Sequence, residues 1–143
     1  SILADPRSDK MQKELNLKIK FRESFRPFAP SILREDVSDW FENDDEVPFM
    51  MKVYQIKESK RPIIPAITHV DGSGRLQTVY KDTNEKYYDL INEFYKITNI
   101  PILLNTSFNE NEPIVMKPEE ALDCLLRTDM DVLFINNFQI NKL

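Results

Sequence analysis

Apolar side chains recur at helical spacing in four segments of the chain. The strongest stripe lies between Asn84 and Thr98, where apolar residues fall every three or four positions, as in a helix that packs one face against a core. Pro118 to Arg127 shows similar spacing and places proline in the first turn, where a helix tolerates it. Shorter helices are predicted from Ser8 or Asp9, either of which can act as a cap, to about Leu17, and from Asp36 to Phe41.

Strands are predicted where polar and apolar residues alternate, or where a short apolar run is bounded by turn residues. Lys18 to Arg22 alternates charged and apolar side chains, the period of a strand with one buried face. Pro65 to Val70 and Arg75 to Tyr80 flank the turn Asp71–Gly74, which holds both glycines of the chain, and so predict a hairpin. Further strands are predicted over Phe49–Ile56, Pro101–Asn105, Asp131–Ile135 and Phe138–Leu143.

The segments between these elements predict connections. Pro27 and Pro30 restrict Phe25–Ile32 to an extended path, Asn43–Pro48 is predicted to be a loop, and Lys57–Pro62 a charged turn. Helices interspersed with strands predict the α/β (α+β) class, with a twisted, partly antiparallel mixed sheet flanked by helices. A length of 143 residues predicts a single domain over 1–143, and the strand-like start without a methionine predicts that it is a fragment of a longer chain.

The amino-acid composition limits which disulfides, nucleophiles and metal sites the chain can contain. One cysteine excludes an internal disulfide and fits a reducing cytoplasm, where we expect the protein to reside. Cys124 lies among leucines in a helical pattern and is predicted to be a buried structural thiol rather than a nucleophile. With one histidine the chain cannot supply a structural zinc site, so no metal site is expected in this domain. No apolar run reaches the roughly 20 residues that span a membrane, and no secretion signal opens the chain.

Charge is unevenly distributed. The net charge of −5 makes nucleic acid an unexpected partner, and seven acidic residues without a basic one between Glu35 and Glu46 predict a solvated surface. Asp5 to Arg26, in contrast, holds seven basic and four acidic residues. On the predicted strand, Lys18, Lys20 and Arg22 project to one face, and Arg26 follows after a short turn. These cations either hold an anion such as phosphate or carboxylate, or form an exposed basic face.

Two other clusters carry candidate chemistry. Arg75 follows the glycine turn and His69 precedes it. Taken alone, they are predicted to be a surface arginine and a hydrogen-bonded structural histidine. Asn105, Thr106 and Ser107 follow a buried strand, and ligands of α/β proteins collect at the carboxyl ends of strands. Their neutral donors and acceptors suit phosphate oxygens or a ribose, and they equally suit a local turn.

Read in order, several segments resemble the carboxy-terminal part of the NodU/CmcH-type O-carbamoyltransferases. The resemblance covers nearly the whole chain, and its motifs occur in the order and spacing of that family. The matching segments are Ser1-Ile-Leu-Ala-Asp-Pro-Arg7, Phe25-Arg-Pro-Phe-Ala-Pro-Ser31, Pro65-Ala-Ile-Thr-His-Val-Asp-Gly72, Arg75-Leu-Gln-Thr-Val79, Pro101-Ile-Leu-Leu-Asn-Thr-Ser-Phe-Asn109 and Glu112-Pro-Ile-Val115.

The resemblance implies a YrdC-like fold that joins ATP, with Mg²⁺, and carbamoyl phosphate into carbamoyl adenylate, releasing pyrophosphate. An amino-terminal domain of the same chain, with an actin/hexokinase-type ATPase fold, would then pass the carbamoyl group to an acceptor hydroxyl. The ligand-binding residues of the family fall on Lys20, Arg26, Arg75, Asn105 and Ser107, the first three of which we expect to be catalytic. Thr106, Arg22 and His69 are further candidates.

Two departures from the family pattern bear on these expectations. The Gly-Pro-Arg-Ala-Leu-Gly stretch that precedes Ser1 in the family is absent, and with it an expected phosphate-binding arginine. Asn111 stands where the family usually has glycine. The isolated domain is therefore expected to bind nucleotide weakly and to transfer no carbamoyl group. Two alternatives stay: a non-catalytic module that binds nucleotide or RNA, and a domain that only docks its neighbour. The acceptor and a homo-oligomeric state stay open.

Overall fold

The computed structural model describes residues 1–142 and contains seven strands and four α-helices within that range. The strands are β1 (Ile2–Ala4), β2 (Ala29–Leu33), β3 (Lys52–Gln55), β4 (Ser73–Val79), β5 (Ile102–Thr106), β6 (Val132–Ile135) and β7 (Phe138–Asn141). The helices are α1 (Met11–Glu14), α2 (Val37–Trp40), α3 (Glu85–Thr98) and α4 (Pro118–Arg127). None of the helices described is long and apolar enough to cross a membrane.

Five strands form one mixed sheet in the order β1-β5-β2-β4-β3, and β6 and β7 form a separate hairpin. The central pair β2–β4 is parallel, whereas β1–β5, β2–β5 and β3–β4 are antiparallel. The amino ends of β2 and β4 therefore lie at the same edge of the sheet as the carboxyl end of β5. The α/β class and the mixed sheet flanked by helices are confirmed.

The two faces of the sheet bury different cores. One face packs the larger core, which includes the fully buried Ile32, Leu76 and Leu104 together with Leu125 of α4. The other face is covered by α3, whose Ile91 packs against a smaller group of strand residues. Because α3 covers only part of its face, the polar strand residues toward the other end are left to line a cavity.

Most of the predicted elements are confirmed. α4 has the predicted bounds, and α3 begins one residue after the predicted Asn84, which caps it. A 3₁₀ turn, Arg34–Asp36, leads into α2 in the predicted helical segment, and the last two strands form the β6–β7 hairpin. The predicted charged turn over 57–62 is a 3₁₀ helix, Glu58–Ile63.

The predicted strand over Lys18–Arg22 is wrong. The first helix runs on from α1 into a π-helical turn, Leu15–Ile19, and the chain reverses at Phe21, whose φ of 44° is left-handed. Lys18, Lys20 and Arg22 consequently do not share a face: Lys18 is exposed and Lys20 is buried. Five alternating residues fit the period of a strand and also that of a helix. Here Leu15 and Ile19, four residues apart, are both buried, as on one side of a helix.

The predicted hairpin around the glycine turn is also wrong. Residues 65–67 form a 3₁₀ turn with Pro65 in its first position, where a helical turn favours proline. The Thr68 hydroxyl donates to the Ile64 carbonyl. β4 pairs instead with β2 and β3. The glycine turn itself is present, with Gly72 at a left-handed φ of 82°.

The Asn84 cap gives a testable contribution to stability. Its Oδ1 accepts a hydrogen bond from the Tyr87 backbone N–H at 3.4 Å. Asn84→Ala removes that acceptor, and we expect the free energy of unfolding to fall by about 1 kcal/mol. Asn84→Ser keeps an oxygen at the cap and should lose only a few tenths of that. Urea denaturation followed by circular dichroism measures both; equal losses for the two variants would contradict a capping role.

Candidate functional site

A cavity of about 580 Å³ lies at the sheet edge where β2 and β4 begin and β5 ends. Three segments that are distant in sequence meet there: residues 20–28, called here the basic loop; the beginning of β4; and the end of β5. Seven of the eight predicted site residues line it, namely Arg22, Arg26, His69, Arg75, Asn105, Thr106 and Ser107. The eighth, Lys20, lies behind Ser107. The structure thus brings together in one place all three clusters that the sequence singles out.

The three arginines of the cavity are held to different degrees. Arg22 donates from Nε to Asn16 Oδ1 at 2.7 Å and lies over the Phe28 ring at 5.0 Å. Arg26 has one loose ion pair with Glu23 at 3.9 Å, in which both side chains are more than half exposed. Arg75 makes no hydrogen bond or ion pair with any residue between 1 and 142. Arg26 and Arg75 are therefore available to bind an anion.

The basic loop is positioned by Asn16, which sequence reasoning missed. Asn16 is fully buried, and its Nδ2 donates to the backbone carbonyls of Ser24 and Arg26 at 3.2 and 2.8 Å. Gln12 Nε2 donates to the Arg26 carbonyl as well. One face of the first helix thereby fixes the turn that carries Arg22 and Arg26. An asparagine between Leu15 and Leu17 gives no sequence signal of such a role.

Lys20 does not line the cavity; it anchors the wall of the cavity. The residue is 2% exposed, and its Nζ donates to the Ser107 carbonyl at 2.6 Å and to the Asn109 carbonyl and Oδ1, each at 2.7 Å. Ser107 Oγ lies 3.2 Å away. Burial, and then the nearby Arg22, lowers the pKa of Lys20 to about 8. With all three hydrogens engaged by protein oxygens, Lys20 fixes the chain that follows β5, and direct contact with a ligand stays a prediction.

Arg127 holds the same segment, residues 107–112, from the other side. This segment is called here the β5 loop. The Arg127 guanidinium pairs with Glu110, with Glu112 at 3.1 Å and with Asp123 at 2.7 Å. Asn109 Nδ2 also donates to the Glu112 carbonyl at 2.7 Å, which closes the loop on itself. Ser107 is thus presented to the cavity by a loop that is fastened at both ends.

A polar network of three side chains lies at the floor of the cavity: Asn105 and Gln77 line it, and the third, Ser31, is fully buried. Asn105 Nδ2 donates to Ser31 Oγ at 3.1 Å and to Gln77 Oε1 at 2.9 Å, and Ser31 Oγ donates to Gln77 Oε1 at 2.5 Å. Ser31 and Gln77 are register partners in the parallel pair β2–β4, which explains their contact. Tyr87 of α3 adjoins this network; burial raises the pKa of its phenol to about 12, so the network carries no charge at neutral pH.

His69 has a defined tautomer. Asp71 Oδ1 accepts from Ser73 Oγ at 2.6 Å, so the Ser73 hydroxyl oxygen is free to accept from His69 Nδ1, 3.1 Å away. Burial lowers the pKa of His69, Asp71 opposes that shift and Arg75 adds to it, so the ring is neutral at pH 7. Nε2 is then a bare acceptor. It is buried with no hydrogen-bond partner among the described residues.

Met50 has a strained backbone, whereas Cys124 is a buried thiol that does not line the cavity. Met50 lines the cavity with a left-handed φ of 55°, unusual for a residue other than glycine and often found beside functional sites. Cys124 is free and fully buried, and burial raises the pKa of its thiol, as expected for a structural cysteine. Among the residues that the structure describes, no three His, Cys, Asp or Glu side chains lie together as a metal site would require.

Known proteins are similar to this chain along nearly its whole length. Residues 1–142 match the family described as "Carbamoyltransferase C-terminus". The chain is 51% identical to nodulation protein NolO of Bradyrhizobium diazoefficiens and 49% identical to nodulation protein NolNO of Sinorhizobium fredii, each over 99% of its length. It is 47% identical, again over 99% of its length, to the uncharacterized protein sll1178 of Synechocystis. It spans 27%, 22% and 26% of these curated relatives, about a quarter of their length.

Proposed function

Because the chain belongs to the carbamoyltransferase C-terminal family, we propose that it binds ATP and carbamoyl phosphate and forms carbamoyl adenylate. The observation that carries this proposal is the convergence of Arg22, Arg26 and Arg75 with the Asn105–Ser107 end of β5 in one cavity. A cavity that combines cations with directed hydrogen-bonding groups suits a ligand that combines phosphate with a small polar group.

The proposed reaction has two balanced steps. Water attacks the phosphorus of carbamoyl phosphate, and the bond between that phosphorus and the bridging oxygen breaks, giving inorganic phosphate, carbamate and a proton that passes to solvent. A carbamate oxygen then attacks the α-phosphorus of ATP; the bond between that phosphorus and the bridging oxygen of the β-phosphate breaks, and pyrophosphate leaves with the electron pair. No covalent enzyme intermediate is needed, so the protein contributes positioning and charge neutralisation.

Each site residue takes a role that suits its surroundings. Arg26, whose one ion pair is long and exposed, and Arg75 would bind the phosphates, and Arg75 would stabilise the charge that builds on the α-phosphate. Asn105 and Ser107 would orient the carbamoyl group by hydrogen bonds. Lys20 would act by holding Ser107 in place.

Magnesium would arrive with the nucleotide. Among the described residues that line the cavity, none is an aspartate or glutamate, which are the usual protein ligands of Mg²⁺. The lining fits an ion held through phosphate oxygens and water. When bound, Mg²⁺ would neutralise part of the triphosphate charge, and the arginines would bind the remainder.

Transfer of the carbamoyl group to an acceptor hydroxyl belongs, in this proposal, to a further domain of the complete protein. The relatives named above are about four times as long as the matched region, which leaves room for such a domain. The isolated domain would therefore bind its ligands without completing the transfer.

Calorimetry tests the binding part of the proposal. We expect titration of the full-length protein with ATP and Mg²⁺, and separately with carbamoyl phosphate, to give saturable binding that Arg26→Ala weakens at least tenfold. Lys86→Ala removes an exposed cation on α3 that does not line the cavity, and it should leave both affinities unchanged. Binding of single-stranded RNA in preference to ATP would favour a nucleic-acid module. Binding of none of these ligands would favour a domain that only docks its neighbour.

A further inference from the structure

We propose that Gln77 is a positioning residue: it holds the Asn105 amide with its carbonyl oxygen toward the cavity, so that the cavity selects a ligand group carrying N–H donors. This inference rests on the proposed function, because it concerns which acyl phosphate the same cavity accepts. Gln77 lies in β4 and lines the cavity beside Asn105. The sequence motifs alone give it no role.

The orientation of Gln77 is set by the backbone of Pro48. Gln77 Nε2 lies 3.3 Å from the Pro48 carbonyl oxygen, which can only accept a hydrogen bond. The nitrogen end of the Gln77 amide must therefore face Pro48, because the reverse orientation would bring two acceptors together. Gln77 Oε1 consequently faces the side chains of Ser31 and Asn105.

The orientation of Asn105 follows from that of Gln77. Gln77 Oε1 is an acceptor, and it lies 2.9 Å from the terminal nitrogen of Asn105 and 2.5 Å from Ser31 Oγ. Ser31 uses its one hydrogen on Gln77, so its oxygen accepts the other hydrogen of Asn105 Nδ2, at 3.1 Å. Both hydrogens of the Asn105 amide are then used within the protein. The amide has none left for a ligand.

The Asn105 carbonyl oxygen, by contrast, is left for a ligand. Within residues 1–142, Oδ1 of Asn105 receives no hydrogen bond, and it is not one of the polar atoms sealed from solvent without a partner. Asn105 itself is only 6% exposed, and it lines the cavity. The cavity floor therefore presents a fixed, poorly hydrated acceptor close to the cationic residues.

A hydrogen-bond acceptor at this position distinguishes carbamoyl phosphate from acetyl phosphate. The two molecules share a phosphate and a carbonyl group, but the carbamoyl group ends in NH₂ where the acetyl group ends in CH₃. The NH₂ can donate to Asn105 Oδ1, whereas a methyl group would leave that acceptor buried without a partner. A site built around a hydrogen bond rejects an analogue that lacks it far better than an apolar pocket does. Arg26 and Arg75 cannot make this distinction, because both ligands carry the same phosphate.

Gln77→Leu tests the inference in the full-length protein. The measured quantity is the ratio of kcat/KM for ATP-dependent pyrophosphate release with carbamoyl phosphate to that with acetyl phosphate. We expect the ratio to fall at least tenfold in the variant, since Asn105 is then free to turn, while the KM for ATP stays within twofold. Gln139→Leu alters an exposed glutamine of the β6–β7 hairpin and should leave the ratio unchanged.

The outcomes separate this inference from the proposed function. A wild-type protein that uses both acyl phosphates equally, or a folded Gln77→Leu variant with an unchanged ratio, would overturn the role of Gln77 and leave the proposed function standing. Pyrophosphate release with neither acyl phosphate would overturn both. If Gln77→Leu does not fold, Ser31→Ala, which removes one of the two acceptors of Asn105 Nδ2, carries the same test.

Discussion

Arg75→Ala should lower carbamoyl-phosphate-dependent pyrophosphate release by the full-length protein at least about a hundredfold. Arg75 lines the cavity and has no hydrogen bond or ion pair within the described chain, so its charge is available to a ligand. Removing one preorganised donor to a developing oxyanion costs on the order of 2.7–4 kcal/mol of transition-state stabilisation, which corresponds to a factor of about 100–1,000. The loss should be in kcat, because the charge on the α-phosphate builds up in the transition state.

The controls for Arg75→Ala separate chemistry from folding. The free energy of unfolding should change by less than about 0.5 kcal/mol, since the side chain is exposed and unpaired in the described chain. Arg75→Lys keeps the charge but not the bidentate geometry of the guanidinium and should recover only part of the rate. Near-normal pyrophosphate release by Arg75→Ala would contradict the role assigned to it.

Lys20→Met should reduce both the stability of the domain and its use of carbamoyl phosphate. Methionine fills a similar volume but donates nothing to the four oxygens of Ser107 and Asn109 that lie within 3.2 Å of Nζ. Losing these charge-assisted hydrogen bonds outweighs the relief from burying an ammonium group, and we expect the free energy of unfolding to fall by about 2 kcal/mol. Since the β5 loop then loosens, kcat/KM for carbamoyl phosphate should fall at least tenfold.

Lys18→Met is the matched control, because Lys18 lies two residues away on the same helical turn and is exposed. It should leave stability within about 0.5 kcal/mol of wild type and leave turnover unchanged. Equal effects of the two substitutions would contradict an anchoring role for Lys20. Urea denaturation and steady-state kinetics measure these quantities.

The pKa of Lys20 adds a dependence on pH with a definite sign. Its folded pKa is lowered to about 8, below the roughly 10.4 of an unfolded lysine. Between these values the unfolded chain keeps a proton that the folded chain has lost, so the contribution of Lys20 to stability rises with pH. Below pH 8 both states are protonated and the burial penalty is complete. The stability difference between wild type and Lys20→Met should therefore be larger at pH 9.5 than at pH 7.

The sequence locates the cavity through residues that end or precede strands. Asn105 and Thr106 end β5 and Ser107 follows it, Arg75 lies near the start of β4, and Arg26 precedes β2. The parallel pairing of β2 with β4 places the starts of these strands at the edge where the antiparallel β5 ends. Residues chosen for their position along the chain therefore meet in space.

What the sequence cannot predict depends on contacts across the fold. Gln77 acquires its role because strand register places it beside Ser31, and no local pattern encodes that register. Lys20 is buried because the π-helical turn directs it beneath the β5 loop, whereas five alternating residues are compatible with a strand. Asn16 is a polar residue in a helix, and its bonds to the basic loop follow only from tertiary packing.

Isotope exchange between pyrophosphate and ATP tests whether carbamoyl adenylate forms in the cavity. We expect the full-length protein to incorporate ³²P from labelled pyrophosphate into ATP only when carbamoyl phosphate is present, because formation of carbamoyl adenylate is reversible at the α-phosphorus. The exchange should fall at least a hundredfold in Arg75→Ala. A protein that binds both ligands but shows no carbamoyl-phosphate-dependent exchange would contradict the formation of carbamoyl adenylate in this cavity.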